Sequence, residues 1–161
     1  MSEILIREIE AADNAAVAKM IREVLLELGA PKVGTAYEDK SLDVLSEVYN
    51  KERAIYFVAE LNKKVVGAAG ISQLDNSEEN ICELQKMYFS PEARGKGFGA
   101  QMMQKCLSAA KEFGFDKCYL ETLPYMTSAV KLYAKTGFVS LDKPLGDTGH
   151  YSCSKWMIKD I

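Results

Sequence analysis

One run limits what this chain can fold into more than any other segment: Phe89-Ser90-Pro91-Glu92-Ala93-Arg94-Gly95-Lys96-Gly97-Phe98-Gly99. Ahead of it, Ile81 to Phe89 reads as a strand. Pro91 has no N–H to give to a sheet ladder, so the strand ends there. Behind it, Phe98, Met102, Cys106, Ala109, Ala110 and Phe113 recur at helical spacing, closed by Gly114. A strand therefore feeds a helix through a loop with three glycines in five residues. Glycines let backbone N–H groups approach a ligand with no Cβ in the way. A helix N-terminus adds unpaired donors and the positive end of a dipole, which suits a phosphate or pyrophosphate. Arg94 and Lys96 bring cationic side chains. The plainer alternative is a turn that uses glycine only for tight geometry; the three glycines flanked by two cations weigh against it. Spacing excludes two common anion loops. The Walker A pattern Gly-x-x-x-x-Gly-Lys-Ser/Thr is absent. A Gly-x-Gly-x-x-Gly count from Gly97 ends on Met102, and the loop lies past the chain's midpoint rather than in a first βαβ unit.

The remaining periodicities predict one mixed α/β domain over residues 1–161. Ser2–Ile9, Ala54–Leu61, Val65–Leu74 and Asp116–Thr122 read as strands, and Asn62-Lys63-Lys64 as a hairpin turn. Phe138–Leu141 and His150–Ile158 are candidate closing strands. Val17, Met20, Ile21, Val24, Leu25 and Leu28 mark a first helix, with Asp13 as its cap and Gly29 at its end. Ser41–Tyr49 fits a shorter helix, and Thr127–Thr136 another that stops at Gly137. The result is a central sheet of about seven strands flanked by about four helices.

Composition narrows the chemistry. Twenty Lys+Arg against 23 Asp+Glu give a net charge of −3, which argues against a general nucleic-acid binder. No run approaches the ~18 apolar residues of a membrane helix. Glu3, Arg7, Glu8 and Glu10 do not fit a signal peptide, so a cytoplasmic location with reduced thiols is expected. Cys82, Cys106, Cys118 and Cys153 form no Cys-x-x-Cys pair, and His150 is the only histidine, so no metal site is expected. A Ser-His-Asp hydrolase would need His150, yet no Gly-x-Ser-x-Gly elbow is present.

Arg94-x-x-Gly97-x-Gly99 resembles the Arg/Gln-x-x-Gly-x-Gly/Ala signature of the GNAT superfamily of N-acetyltransferases. Cys82 to Pro91 is similar to the strand that precedes that signature, and Tyr133 followed by Gly137-Phe138 resembles a second family marker. The resemblance implies a GNAT-like fold and acetyl-coenzyme A as cosubstrate. It implies that backbone N–H groups of Arg94, Gly95, Lys96, Gly97, Phe98, Gly99 and Ala100 hold the pyrophosphate. It also implies that the strand edge at Met87, Tyr88 and Phe89 pairs with the pantetheine arm, beside a bulge that splays this strand from the next. In one departure, Met126 stands where many members carry asparagine, with Thr127 or Ser128 as candidate substitutes.

Acetyl transfer needs a neutral amine. A lysine-like amine of pKa about 10.4 is deprotonated at pH 7 at a cost of roughly 4.6 kcal/mol, so a general base is needed. The resemblance makes Glu83 the first candidate base and Tyr133 the candidate acid for the departing thiolate. Glu121 is a second carboxylate: if Cys118, Leu120 and Thr122 face the core, it points the other way. His150, Tyr151 and Glu121 are candidate acceptor-binding residues. Cys153 is a candidate nucleophile only if its pKa is lowered; a buried thiol and direct transfer are expected instead. The acceptor is expected to be a small-molecule amine, with protein lysine or N-terminal amines as the alternative. The sequence leaves room for a homodimer without specifying one. A non-catalytic coenzyme A sensor is the rival from another class; the presence of both Glu83 and Tyr133 favours an enzyme.

Overall fold

A computed structural model describes residues 4–75, 77–124, 126–146, 148 and 153–161. Among these, seven strands form one sheet: β1 (Ile4–Glu8), β2 (Ile55–Leu61), β3 (Lys64–Gln73), β4 (Ile81–Phe89), β5 (Lys117–Thr122), β6 (Val139–Leu141) and β7 (Lys155–Asp160). The helices are α1 (Asn14–Glu27), α2 (Leu45–Val48), α3 (Phe98–Glu112) and α4 (Thr127–Thr136). The sheet order is β1-β2-β3-β4-β5-β7-β6, antiparallel throughout except for the β4–β5 pair. The β2–β3 hairpin turns on Asn62 and Lys63, both at positive φ, the two-residue geometry that matches strand twist.

Strand alternation sorts side chains into two layers. Tyr56, Val58 and Ala68 pack with Val17, Ile21 and Leu25 of α1 and with Leu42, Leu45 and Tyr49. Phe57, Ala59, Cys82, Leu84, Cys118 and Leu120 pack on the other face against Met102, Cys106 and Ala110 of α3 and Tyr133 of α4.

The helix expected over Ser41–Tyr49 is instead a 3-10 turn (Lys40–Val44) followed by the single α turn of α2. Leu42 and Leu45 are both fully buried, and a 3-10 turn stacks residues three apart over one another. The Asn14 side chain ties down the break, accepting from the Ser46 N–H (2.9 Å) and donating to Ser46 Oγ (2.8 Å). Asp13 does not cap α1 with its side chain. Its carboxylate accepts from both Arg7 terminal nitrogens, at 2.8 and 2.9 Å, and from the Glu10 N–H at 2.8 Å. The last strand begins at Lys155; residues 149–152 of the expected His150–Ile158 strand lie outside the described residues.

Two features of β4 shape the molecule. Ala68 of β3 pairs with Tyr88 and Gly70 pairs with Gln85, so two steps on β3 span three on β4. This is a bulge, and Lys86 within it has φ +50°, rare for a residue with a Cβ. Beyond it the faces exchange: Met87 and Phe89 lean on the α3 layer, and Tyr88 on the α1 layer. Then the parallel β4–β5 ladder has only three rungs, ending at Glu83 opposite Tyr119. Both strands run on past it without pairing, so they open like a V.

Gly70 sits opposite the bulge, where a Cβ would lie 2.4 Å from Tyr56 Cδ1 and 2.5 Å from the Ile55 carbonyl oxygen. Neither can retreat, because Tyr56 is fully buried and its hydroxyl donates to the Lys86 carbonyl at 2.8 Å. Gly70→Ala is expected to destabilise by about 1–3 kcal/mol, the usual cost of overpacking. At roughly 2–4 °C per kcal/mol for a chain of this size, a thermal melt resolves that loss; an unchanged melting temperature would contradict the packing described for Tyr56.

Candidate active site

The V between β4 and β5 opens into a cleft of about 500 Å³. Its walls come from the second half of β4, the end of β5, the glycine loop, the start of α4 and the C-terminal end of α1.

At one end lies the glycine loop. After a 3-10 turn at Pro91–Ala93, Gly95 and Gly97 take φ of +72° and +79°, left-handed conformations that glycine adopts without penalty. Gly99 is constrained by space instead: a Cβ there would stand 3.1 Å from Leu132 Cδ2 and 3.8 Å from Met87 Cε. Among the described residues, the N–H groups of Gly95, Lys96, Gly97, Phe98, Gly99 and Ala100 donate to no protein acceptor; the first bond inward is Gln101 N–H to the Gly97 carbonyl, at 3.3 Å. Consecutive free donors at the head of a fifteen-residue helix form an anion cradle.

Arg94 differs from the cation expected beside that cradle. Its N–H donates to the Pro91 carbonyl at 3.2 Å, which takes it out of the donor run. Its guanidinium grips Glu27 at the end of α1 in bidentate fashion (2.7 and 2.9 Å) and donates to the Phe89 carbonyl at 3.0 Å. Arg94 thus braces the loop against α1 and β4. Lys96 is exposed at the rim.

Along the cleft, Tyr88 and Phe89 pair with Ala68 and Gly67 of β3, and β4 has no ladder partner on its β5 side beyond Glu83. That leaves an open strand edge inside the molecule, at Met87, Tyr88 and Phe89, to which an extended chain can add. On the facing wall, Met126 receives only a weak contact from the Thr122 hydroxyl to its sulfur, at 3.7 Å. Thr127 and Ser128 open α4 and line the cleft beside it.

Tyr133, 6% exposed, lines the cleft from α4 and meets Phe138 edge to face at 6.1 Å. Its hydroxyl has no hydrogen-bond partner among the described residues. Burial raises its pKa, reinforced by the thiols of Cys106, Cys118 and Cys153, so the phenol holds its proton.

Glu83 does not line this cleft. It is 5% exposed and faces a second recess of about 230 Å³ on the α1 side of β4. Gln85 Nε2 donates to Glu83 Oε1 at 2.6 Å, while the Tyr49 hydroxyl donates to Gln85 Oε1. Lys86 lines both cavities; its ammonium lies 3.3 Å from Asp39 Oδ2. Glu121 points away from Cys118 and Leu120 and lines the main cleft. It accepts from the Tyr119 hydroxyl at 2.6 Å and from the Thr148 hydroxyl. His150 and Tyr151 lie outside the described residues. Sequence reasoning missed Tyr49, Gln85 and Asp39. Only Gln85 carried a local signal, since it sits two residues after Glu83 and shares its face.

The profile described as the acetyltransferase (GNAT) family matches residues 20–138. The Escherichia coli (strain K12) protein named uncharacterized N-acetyltransferase YjgM is 40% identical over 158 residues, covering 98% of this chain and 95% of its own length. The crystal structure of an acetyltransferase of GNAT family from Staphylococcus aureus MU50 superposes with a TM-score of 0.85 at 22% identity, over 98% of this chain and 99% of that one. The structure of yncA from Salmonella typhimurium with its cofactor acetyl-CoA gives a TM-score of 0.78 at 17% identity, over 98% and 93%. At these identities the two structures speak for the fold.

Cys153 also lines the cleft. Burial, then the carboxylates of Glu121, Glu83 and Asp39, pushes its thiol up to about 12. At pH 8 about one molecule in 10⁴ then carries the thiolate, against about a quarter for an ordinary thiol of pKa 8.5. Iodoacetamide labelling of Cys153, followed by peptide mass spectrometry, should run about a thousandfold slower than for a free thiol at pH 8. Labelling at the free-thiol rate would instead mark a stabilised thiolate and a covalent role.

Proposed function

The chain belongs to the acetyltransferase (GNAT) family, and from that premise we propose that it moves an acetyl group from acetyl-coenzyme A directly to a small primary amine. The observation that carries this reading is the run of six free N–H donors, Gly95 to Ala100, at the mouth of the β4–β5 opening. Those donors fit a pyrophosphate, the open edge at Met87–Phe89 fits an amide-bearing pantetheine arm, and the cleft volume fits the arm's passage to the V. When bound, acetyl-coenzyme A supplies an activated thioester carbonyl.

The chain's own groups then manage protons. Glu83, oriented by Gln85, takes the proton that an ammonium must lose, directly or through water in the recess. Glu121 is the weaker base in this reading, because its two oxygens each already accept a hydroxyl. Tyr133 gives its proton to the departing thiolate; burial raises the phenol's pKa and so keeps that proton in place until the thiolate forms. Its otherwise unused hydroxyl and its place in the cleft support the role. The raised pKa of Cys153 supports direct transfer over a covalent route.

Two variants test the reading. Gly99→Glu drives a side chain towards Leu132 and Met87 and brings negative charge to the cradle. Calorimetric titration should show acetyl-coenzyme A binding lost from a protein that still melts cooperatively, and retained affinity would remove the loop from the cofactor site. Tyr133→Phe keeps the ring and its contact with Phe138. Turnover should fall about 10²–10⁴-fold with cofactor affinity nearly unchanged, the pattern of a group that acts only during reaction. Turnover within about threefold of the unsubstituted enzyme would make Tyr133 a packing residue.

A further inference from the structure

The recess behind β4 has chemistry of its own. It runs along the strand in register with β3: Ser72 pairs with Glu83, Gln73 pairs with Cys82, and the Leu74 N–H donates to the Ile81 carbonyl. Lys86 therefore marks the end shared with the main cleft, Glu83 the middle and Asp75 the far end. Its carboxylates, Asp39, Asp75 and Glu83, outnumber its ammonium groups, Lys51 and Lys86, three to two. The Lys86 ammonium is paired with Asp39, and Lys51 sits exposed at the rim.

Two neutral groups report the resulting field. Tyr49 has its pKa raised by burial and then by Glu83, Asp39 and Asp75 among its neighbours. Cys153 is raised by burial and then by Glu121, Glu83 and Asp39. Glu83 and Asp39 thus act on both Tyr49 in the recess and Cys153 in the main cleft. Glu83 is also held in place, because Tyr49 donates to the Gln85 oxygen and so turns the Gln85 amide nitrogen towards the carboxylate. That arrangement fixes the carboxylate at the middle of the recess. At about 230 Å³, the space is smaller than the ~300–1,000 Å³ of drug-sized ligand sites, which limits an occupant to about ten non-hydrogen atoms.

We propose that this recess is the acceptor pocket, and that it takes a small aliphatic diamine or polyamine, with the reacting amine between Lys86 and Glu83 and a second ammonium at Asp75. The inference rests on the transferase reading above. A linear dication matches a narrow space whose negative groups are spread along its length, and the far carboxylate distinguishes it from a monoamine. An amino-acid zwitterion would bring its own carboxylate against Asp75 or Glu83.

The test compares acetylation of 1,4-diaminobutane and spermidine with that of n-butylamine, glutamate and a lysine-containing peptide. kcat/KM for the diamine should exceed that for n-butylamine by tenfold or more. In Asp75→Asn, an exposed position that should not disturb folding, that ratio should fall close to one through a higher KM for the diamine. Equal rates for diamine and monoamine, preference for glutamate or the peptide, or an unchanged ratio in Asp75→Asn would each overturn the assignment. Calorimetry of 1,4-diaminobutane into the protein saturated with coenzyme A separates the two claims. Binding that Asp75→Asn weakens, with no amine acetylated, would uphold the pocket and remove the transferase reading. No diamine binding would overturn the pocket itself.

Discussion

The site depends on a broken ladder. After Glu83 and Tyr119, β4 and β5 stop exchanging hydrogen bonds, although both strands continue. Buried backbone groups rarely go unpaired, so such an edge survives only where something else can satisfy it. The bulge at Lys86 sets up the break. It adds a residue to β4 and increases the local twist just past the last β4–β5 rung. The Tyr56 hydroxyl holds the Lys86 carbonyl from beneath, and the Lys86 ammonium is paired with Asp39. The strained residue is thus fixed at both its main chain and its side chain. Losing that hold would let β4 relax towards regular pairing and close the cleft.

The same bulge explains the split between two cavities. Without it, strict alternation would place residues 83, 85, 87 and 89 on one face. With it, Glu83 and Gln85 face the α1 layer, while Met87 and Phe89 face the α3 layer. One strand thereby presents carboxylate chemistry to one side and an apolar wall to the other. The anion cradle is tied into this frame by Arg94, which joins the loop to the end of β4 and to Glu27 of α1.

Most elements were legible because local signals agreed with the fold. Gly97, Gly99 and the apolar stripe of α3 announce their own geometry, and α4 ends at Gly137 as its spacing predicts. Glu121 pointing away from Leu120 follows from period two alone. What stayed hidden depends on distant partners. Lys86 carries no mark of a left-handed conformation, since its φ is imposed by β3 pairing and by Tyr56, thirty residues away. Arg94 reads as a phosphate ligand until Glu27, 67 residues earlier, takes its guanidinium. Asp13 reads as a helix cap until Arg7 claims it. The 3-10 turn before α2 escaped because Leu42 and Leu45 suit either helix type by pattern, and packing decides between them. Tyr49 reaches Gln85 across 36 residues, a pairing no short-range pattern contains.

Under the proposed function, the arrangement gives proton flow a direction. An amine entering from the α1 side meets Glu83, Asp39 and Asp75, where negative charge stabilises an ammonium and a carboxylate can take its proton. On the α3 side, Tyr133 and the thiols sit in apolar surroundings that hold protons on neutral acids. A carboxylate placed beside Tyr133 would raise the phenol's pKa further, weakening it as an acid. In the proposed reading, Glu83 on the α1 side of β4 and Tyr133 of α4 on the α3 side keep base and acid apart, while the bulge turns Met87 and Phe89 towards the main cleft.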